Sequence, residues 1–109
     1  MLPTFIRRVN GSWQELQASA PDDEAAYTRL RKPPIEYFQQ FYADTSGQTP
    51  VAIRAALEFL GSDHVMLGSD APFTSPADHL ATIQKLQLAE ADYVKVVGGN
   101  AQRFLAPRT

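Results

Sequence analysis

The 109-residue chain carries a net charge of -2, 44% hydrophobic and 20% charged residues, and no cysteine. Such totals describe one ordinary globular domain and give no electrostatic case for a nucleic acid or an anionic membrane as partner. Disulfides and thiolate zinc sites are excluded, no run approaches the roughly 18 apolar residues of a membrane span, and a reducing, cytoplasmic setting is expected.

Residues 2–18 are predicted as a helix. Pro3 lies near its start, where a missing N–H costs nothing. Phe5, Ile6, Val9, Trp13 and Leu16 recur at helical spacing and form one apolar face. Asn10-Gly11 is an internal weak point of about 1 kcal/mol. Asn10-Gly11-Ser12 also matches a glycosylation triplet. It is read as chance, because Arg7-Arg8 follow the first apolar residues instead of preceding a long apolar run, which is not a secretion signal.

Pro21-Asp22-Asp23-Glu24 reads as the start of a short helix through Leu30. Arg29, Arg31 and Lys32 then form a small basic cluster, read as a solvated helix end, with binding of a substrate carboxylate as the functional alternative. Pro33-Pro34 stops that helix and opens a brief one over residues 35–40. Phe41 to Thr45 reads as a strand ending at Ser46-Gly47, which places Asp44, Thr45 and Ser46 where Ser69 and Asp70 sit on the next strand; Asp44 is read as a turn or capping residue, with a functional role at that edge as the alternative.

Thr49 is the expected N-cap of the next helix, with Pro50 at its first position and Gly61 as its stop. Val51, Ile53, Ala56, Leu57 and Leu60 give its buried side. Val65-Met66-Leu67 is an apolar run too short for a helix, as expected of a strand covered on both faces. Strand, helix and strand at this spacing predict a parallel βαβ unit.

The second strand ends at Gly68-Ser69-Asp70, and Pro72 forbids further ladder pairing. Gly68 permits close approach of backbone or ligand. Ligands of parallel α/β folds bind at strand C-termini, so the Asp70 carboxylate is the leading candidate functional group. Ser75 caps a helix that begins at Pro76 and is lined by Leu80, Ile83 and Leu86. A further helix is predicted over 89–97, broken by Gly98-Gly99, with Asn100 as the N-cap of a last short helix through Leu105. His64 precedes the second strand, at the end away from Asp70, and His79 lies in the helix after Pro76. Both are read as surface or helix-face histidines.

Two parallel strands do not make a closed parallel sheet. Three segments bear on what completes it: Phe41-Tyr42-Ala43-Asp44-Thr45-Ser46-Gly47, Val65 through Phe73, and Gly98-Gly99-Asn100-Ala101-Gln102-Arg103-Phe104-Leu105. In this order and spacing they resemble the metal-dependent amidohydrolase superfamily, in the branch similar to aminocarboxymuconate-semialdehyde decarboxylase. The stretch from Leu2-Pro3 to Trp13 resembles the helix that follows a His-Gly-Gly motif in that branch.

The resemblance implies an α/β fold, a partial (β/α)₈ TIM barrel made of the last two strands and their helices. It implies that residues 1–109 are the C-terminal part of a domain that typically needs about 250 residues. It further implies a divalent metal, zinc or manganese, in the complete enzyme, with Asp70 as metal ligand and catalytic carboxylate. The family's remaining ligands are histidines with no counterpart here, so no metal is expected on this chain by itself.

The implied activity is decarboxylation or hydrolysis of a small carboxylic acid, with this chain inactive alone. The alternatives are half of a split enzyme whose N-terminal barrel partner is a separate chain, and a non-catalytic α/β interaction module. A homodimer is an implication of the resemblance only.

Overall fold

The computed structural model describes residues 2–19 and 30–107. The chain forms two compact units, Met1–Phe41 and Tyr42–Thr109. The helix start predicted at Pro21-Asp22-Asp23-Glu24 and the Arg29 member of the basic cluster lie outside the described residues.

In the first unit, α1 (Leu2–Ser19) contacts α2 (Pro34–Phe38). The helix runs through Asn10-Gly11 without a break. Asn10 has a tertiary partner, since its Oδ1 accepts the Ile35 N–H at 3.0 Å, and this ties the middle of α1 to the start of α2. Such a bond satisfies one of the first N–H groups of α2, which no intrahelical carbonyl can reach. The expected apolar face of α1 is only partly covered, with Phe5 and Leu16 exposed.

The second unit holds β1 (Ala43–Asp44), α3 (Pro50–Leu60), a 3₁₀ turn (Ser62–His64), β2 (Val65–Met66), α4 (Pro76–Lys85), α5 (Glu90–Val94), a π-helical segment (Lys95–Gly99) and α6 (Asn100–Leu105). The two strands are parallel and pair Ala43 with Val65 and Asp44 with Met66. Both are shorter than the predicted runs of five and three residues. Helix starts follow the capping chemistry of the sequence. Thr49 Oγ1 accepts the Ala52 N–H at 3.3 Å ahead of Pro50, and Ser75 Oγ accepts the Asp78 N–H at 3.4 Å ahead of Pro76. Gly61, at φ 83°, ends α3 with its N–H on Leu57 O.

Ile53, Val65, Ile83, Leu86 and Val96 form the buried core, with Leu57, Leu60, Leu67, Leu88 and Tyr93 packed around it. Helices α3 and α4, strand β2 and the π-helical segment therefore each send at least one apolar side chain inward. Burying each such side chain contributes about 1.5–3 kcal/mol. Val51 departs from the expected buried side of α3. It sits in the first turn and is 78% exposed.

The C-terminal helix also differs from expectation. Gly98-Gly99 does not break it. The chain continues helically from Glu90 to Leu105, and Lys95–Gly99 widens to π-helical bonding. Asn100 is therefore not an N-cap but an interior helical residue, 0% exposed. Its backbone N–H reaches back five residues to Lys95 O. An added Cβ at Gly99 would lie 3.2 Å from Val94 O, so the bare glycine suits this widened turn.

Candidate functional site

The C-terminal ends of β1 and β2 lie side by side because the strands are parallel and adjacent. Thr45, Ser46, Gly68, Ser69 and Asp70 follow closely on them. Thr45 is 2% exposed, and its hydroxyl oxygen accepts the Gly68 N–H at 3.2 Å, extending strand pairing by a side chain where the backbone ladder has stopped. Asp44 Oδ1 accepts the Ser46 N–H at 2.7 Å, an Asx turn that realises the turn role expected of this residue.

The same carboxylate hangs over Gly68. A Cβ there would be 2.5 Å from Ser46 Oγ, 2.8 Å from Asp44 Oδ1 and 3.0 Å from Asp44 Cβ. Glycine is thus required by close approach of two side chains, as its position at a strand end had suggested.

Asp70 is exposed and takes φ 54°, in the left-handed region. Aspartate tolerates that region better than most residues, but a non-glycine residue there still marks a position held by its surroundings. The Ala71-Pro72 peptide bond is cis. Beyond it, the Phe73 N–H bonds Asp70 O at 3.0 Å, and Thr74 Oγ1 donates to Ser69 O. Thr74 Oγ1 also lies 3.1 Å from His79 Nε2. His79 is thus a helix-face histidine that ties α4 to the loop leaving Asp70. Phe73, at the crown of this loop, is 85% exposed.

His64 lies at the opposite end of β2, as expected. Its ring stacks on Tyr42 with centroids 4.6 Å apart, and Tyr42 meets Phe104 edge-on at 5.0 Å. Beside it, Asp63 Oδ1 lies 3.2 Å from Lys95 Nζ and 3.6 Å from Arg103 Nη1. The Lys95 ammonium, by hydrogen bonding first and charge second, holds the Asp63 carboxyl below the usual carboxylate range, with Arg103 and His64 adding to the effect against desolvation. In the first unit, Lys32, in a bend ahead of α2, pairs with Glu36 at 3.9 Å, with both side chains half exposed; the helix whose end this cluster was expected to form lies outside the described residues.

An apolar hollow of about 480 Å³ in the first unit is lined by Phe5, Val9, Trp13, Leu16, Leu30 and Pro34, with Arg8 and Ser12 as its polar members. Among the described residues its lining has no carboxylate or imidazole.

A divalent-ion site normally takes three or four protein ligands when the ion is zinc. Among the described residues no three His, Cys, Asp or Glu side chains stand close enough together to hold a metal ion. The donors present do not fit a complete metal centre. At the strand ends the described residues offer one outward carboxylate, Asp70, and a second, Asp44, with one oxygen already engaged by Ser46.

The close approach at Gly68 was expected from the sequence, whereas the interior contacts of Asn100 were not. Its Nδ2 donates to Ser62 O at 2.6 Å and to Val65 O at 2.8 Å, while its Oδ1 accepts from Arg103 Nη2 at 3.2 Å. A signal was present: Asn100 falls four residues after Val96, on the face that an unbroken helix would turn toward the core.

The fold and site define a helix-rich α/β unit with a small parallel sheet and a carboxylate at its C-terminal edge. A model of the amidohydrolase family matches residues 1–106. A gamma-resorcylate decarboxylase from Polaromonas sp. is 39% identical over 74 residues, which cover 64% of this chain and 22% of that protein. The structure of 5-carboxyvanillate decarboxylase from Sphingomonas paucimobilis superposes with a TM-score of 0.75 at 28% identity, covering 93% of this chain and 29% of that one. A dihydroxybenzoic acid decarboxylase from Polaromonas sp. with bound manganese and the inhibitor 2-nitroresorcinol shares the fold, with a TM-score of 0.70 at 24% identity over 94% of this chain and 30% of that one.

The chain belongs to the amidohydrolase family. It spans under a third of the length of these relatives. No helix among the described residues is long and apolar enough to cross a membrane.

Proposed function

We propose that this chain supplies the C-terminal, carboxylate-bearing part of a divalent-metal decarboxylase acting on a small aromatic carboxylic acid. In this reading the two strands are the last two of a (β/α)₈ barrel. Asp70 is one ligand of a manganese or zinc ion whose imidazole ligands come from segments outside these residues, in the same polypeptide or on a partner chain. The absence of cysteine is compatible with a cytoplasmic setting.

The observation that carries the reading is Asp70 itself. It is an outward carboxylate in the left-handed region at the C-terminal end of a parallel strand, inside a chain matched to the family over residues 1–106. Strand C-termini are where barrel enzymes place their chemistry. The relatives named above act, by name, on gamma-resorcylate and 5-carboxyvanillate, both aromatic acids.

Decarboxylation breaks the bond between ring and carboxylate, leaves the electron pair on the ring carbon, and needs a proton delivered there as carbon dioxide departs. The chain's own residues contribute in two ways. Asp70 places a fixed negative charge at the site and can hold or pass a proton at its free oxygen. Gly68 and the Asp44–Ser46 turn shape the floor beside it.

The test is an assay of the polypeptide or complex that carries this chain, using carboxyl-labelled 2,6-dihydroxybenzoate. Manganese-dependent release of labelled carbon dioxide is expected, reduced at least about 100-fold by Asp70→Asn. Undiminished release by that variant would overturn the role of Asp70. Absence of release from any ring-hydroxylated benzoate would overturn the activity.

A further inference from the structure

In the observed register Met66 turns its backbone toward β1, and its carbonyl accepts the Thr45 N–H at 3.0 Å. Val65 and Leu67 therefore direct their N–H and C=O groups to the opposite, outer edge of β2. A parallel sheet normally answers such groups with another strand. Here the last helix answers them. Asn100 Nδ2 donates to Val65 O at 2.8 Å, and Val96 O accepts the Leu67 N–H at 2.8 Å.

Both groups are available for a specific reason. In an α-helix Val96 O would accept the N–H of Asn100. That N–H instead goes to Lys95 O across the π-helical turn, which releases the Val96 carbonyl toward the strand. The Asn100 amide is oriented by its other contacts. Two carbonyls, Ser62 O and Val65 O, face one end of it, so that end is the NH₂ group, and Arg103 donates to the oxygen. Arg103 is itself held by Asp63, through a 2.8 Å bond from Nη2 to Asp63 O. On the inner side, Thr45 Oγ1 takes the Gly68 N–H. β2 and the two residues after it are thus pinned on alternating sides at residues 65, 66, 67 and 68, immediately before Ser69 and Asp70.

We infer that Asn100 and the Val96 carbonyl are positioning groups for Asp70: together they cap the outer edge of β2 in place of a strand and fix where its carboxylate-bearing end lies. The inference rests on the reading of Asp70 as the site's carboxylate. It gives the π-helical turn a function, since a regular helix would keep Val96 O for itself and turn the residues after it by a different angle. Neither group touches the site. They act through the strand.

The test uses the 109-residue chain and the variant Asn100→Asp. Aspartate keeps the shape and the Arg103 contact but removes both N–H donors and sets an oxygen against two carbonyls. NMR reads two things: the exchange rate of the Leu67 amide, and the left-handed signature of Asp70 in its HN–Hα coupling and Cα shift. Leu67 is expected to exchange about tenfold faster or more. The Ile53 and Leu57 amides of α3 should change less, and the Asp70 signature should move off its wild-type value.

Equal acceleration throughout, or an unmoved Asp70 signature in a folded variant, would overturn the inference and leave Asn100 a merely stabilising residue. If Asn100→Asp does not fold, Gly99→Ala disturbs the π-turn through the 3.2 Å approach to Val94 O without touching the amide. The same local pattern is expected there, and its absence counts equally against the inference. These readouts do not depend on catalysis. A failure of the decarboxylase reading shows in the Asp70→Asn assay, and a failure of the positioning role shows here.

Discussion

At the scale of single residues, Gly68 and Asp70 set the shape of the candidate site, and each yields a stability test. A methyl group at Gly68 meets Ser46 Oγ at 2.5 Å and Asp44 Oδ1 at 2.8 Å, so both side chains must move. Gly68→Ala is expected to cost about 1–3 kcal/mol in urea unfolding, in the range of overpacked sites. It should also break the bond from the Ser46 N–H to Asp44, visible as a shift of the Ser46 amide. At Asp70 the positive φ separates backbone from carboxylate. Asp70→Asn should stay within about 0.5 kcal/mol of the wild type, because asparagine also tolerates the left-handed region. Asp70→Val should cost about 1–2 kcal/mol, since a β-branched residue does not. Equal stability of the two variants would mean that the backbone at residue 70 is free to leave that conformation. The exposed carboxylate after β2 was legible because a strand end, an acidic residue and a following proline are local features. The partners over Gly68 were not, because Asp44 and Ser46 approach only once the register is set.

Among elements, the C-terminal helix shows where local reasoning failed. Two adjacent glycines each cost about 1 kcal/mol in a helix, which favours a break. The break is outweighed by contacts that are distant in sequence: Val96 buried in the core, Asn100 bonded to Ser62 and Val65, and Lys95 and Arg103 gathered on Asp63. Helix starts, in contrast, were legible at Thr49-Pro50 and Ser75-Pro76, because capping needs only neighbours. The Asp63 group makes the helix attachment sensitive to acid. Its carboxyl is held below the usual carboxylate range in the folded chain, so the unfolded chain binds the proton first as pH falls. The stabilisation is therefore complete above the unfolded carboxylate range and is lost as pH drops through the lower, folded value. Thermal midpoints measured down to about pH 2 should fall more steeply for the wild type than for Asp63→Asn. The difference should shrink in high salt, because all three side chains are substantially exposed. Parallel curves for the two proteins would mean that Lys95 and Arg103 contribute nothing through Asp63.

For the whole molecule, the strand–helix–strand order from Ala43 to Met66, its parallel pairing and the family were legible in the sequence. The treatment of the outer edge of β2 was not, because it depends on one carbonyl released by a widened helical turn. The ligand count is the other property of this scale. The chain spans 29% of the 5-carboxyvanillate decarboxylase it resembles. No three potential metal-binding His, Cys, Asp or Glu side chains converge among its described residues. A lone exposed carboxylate competes poorly with water for a divalent ion, and even weak protein sites at about 0.1–1 mM gather several oxygen ligands. Manganese titrated into the 109-residue chain and followed by EPR should thus bind no more tightly than about 1 mM, with Asp70→Asn making little difference. In a complex that supplies the imidazoles of the proposed site, binding should tighten by orders of magnitude and Asp70→Asn should weaken it by about 10–100-fold, as loss of a group that supports a metal centre does. One equivalent of manganese held at micromolar concentration by the chain alone would show that its own residues complete the site. The imidazole donors assigned to other segments would then be unnecessary.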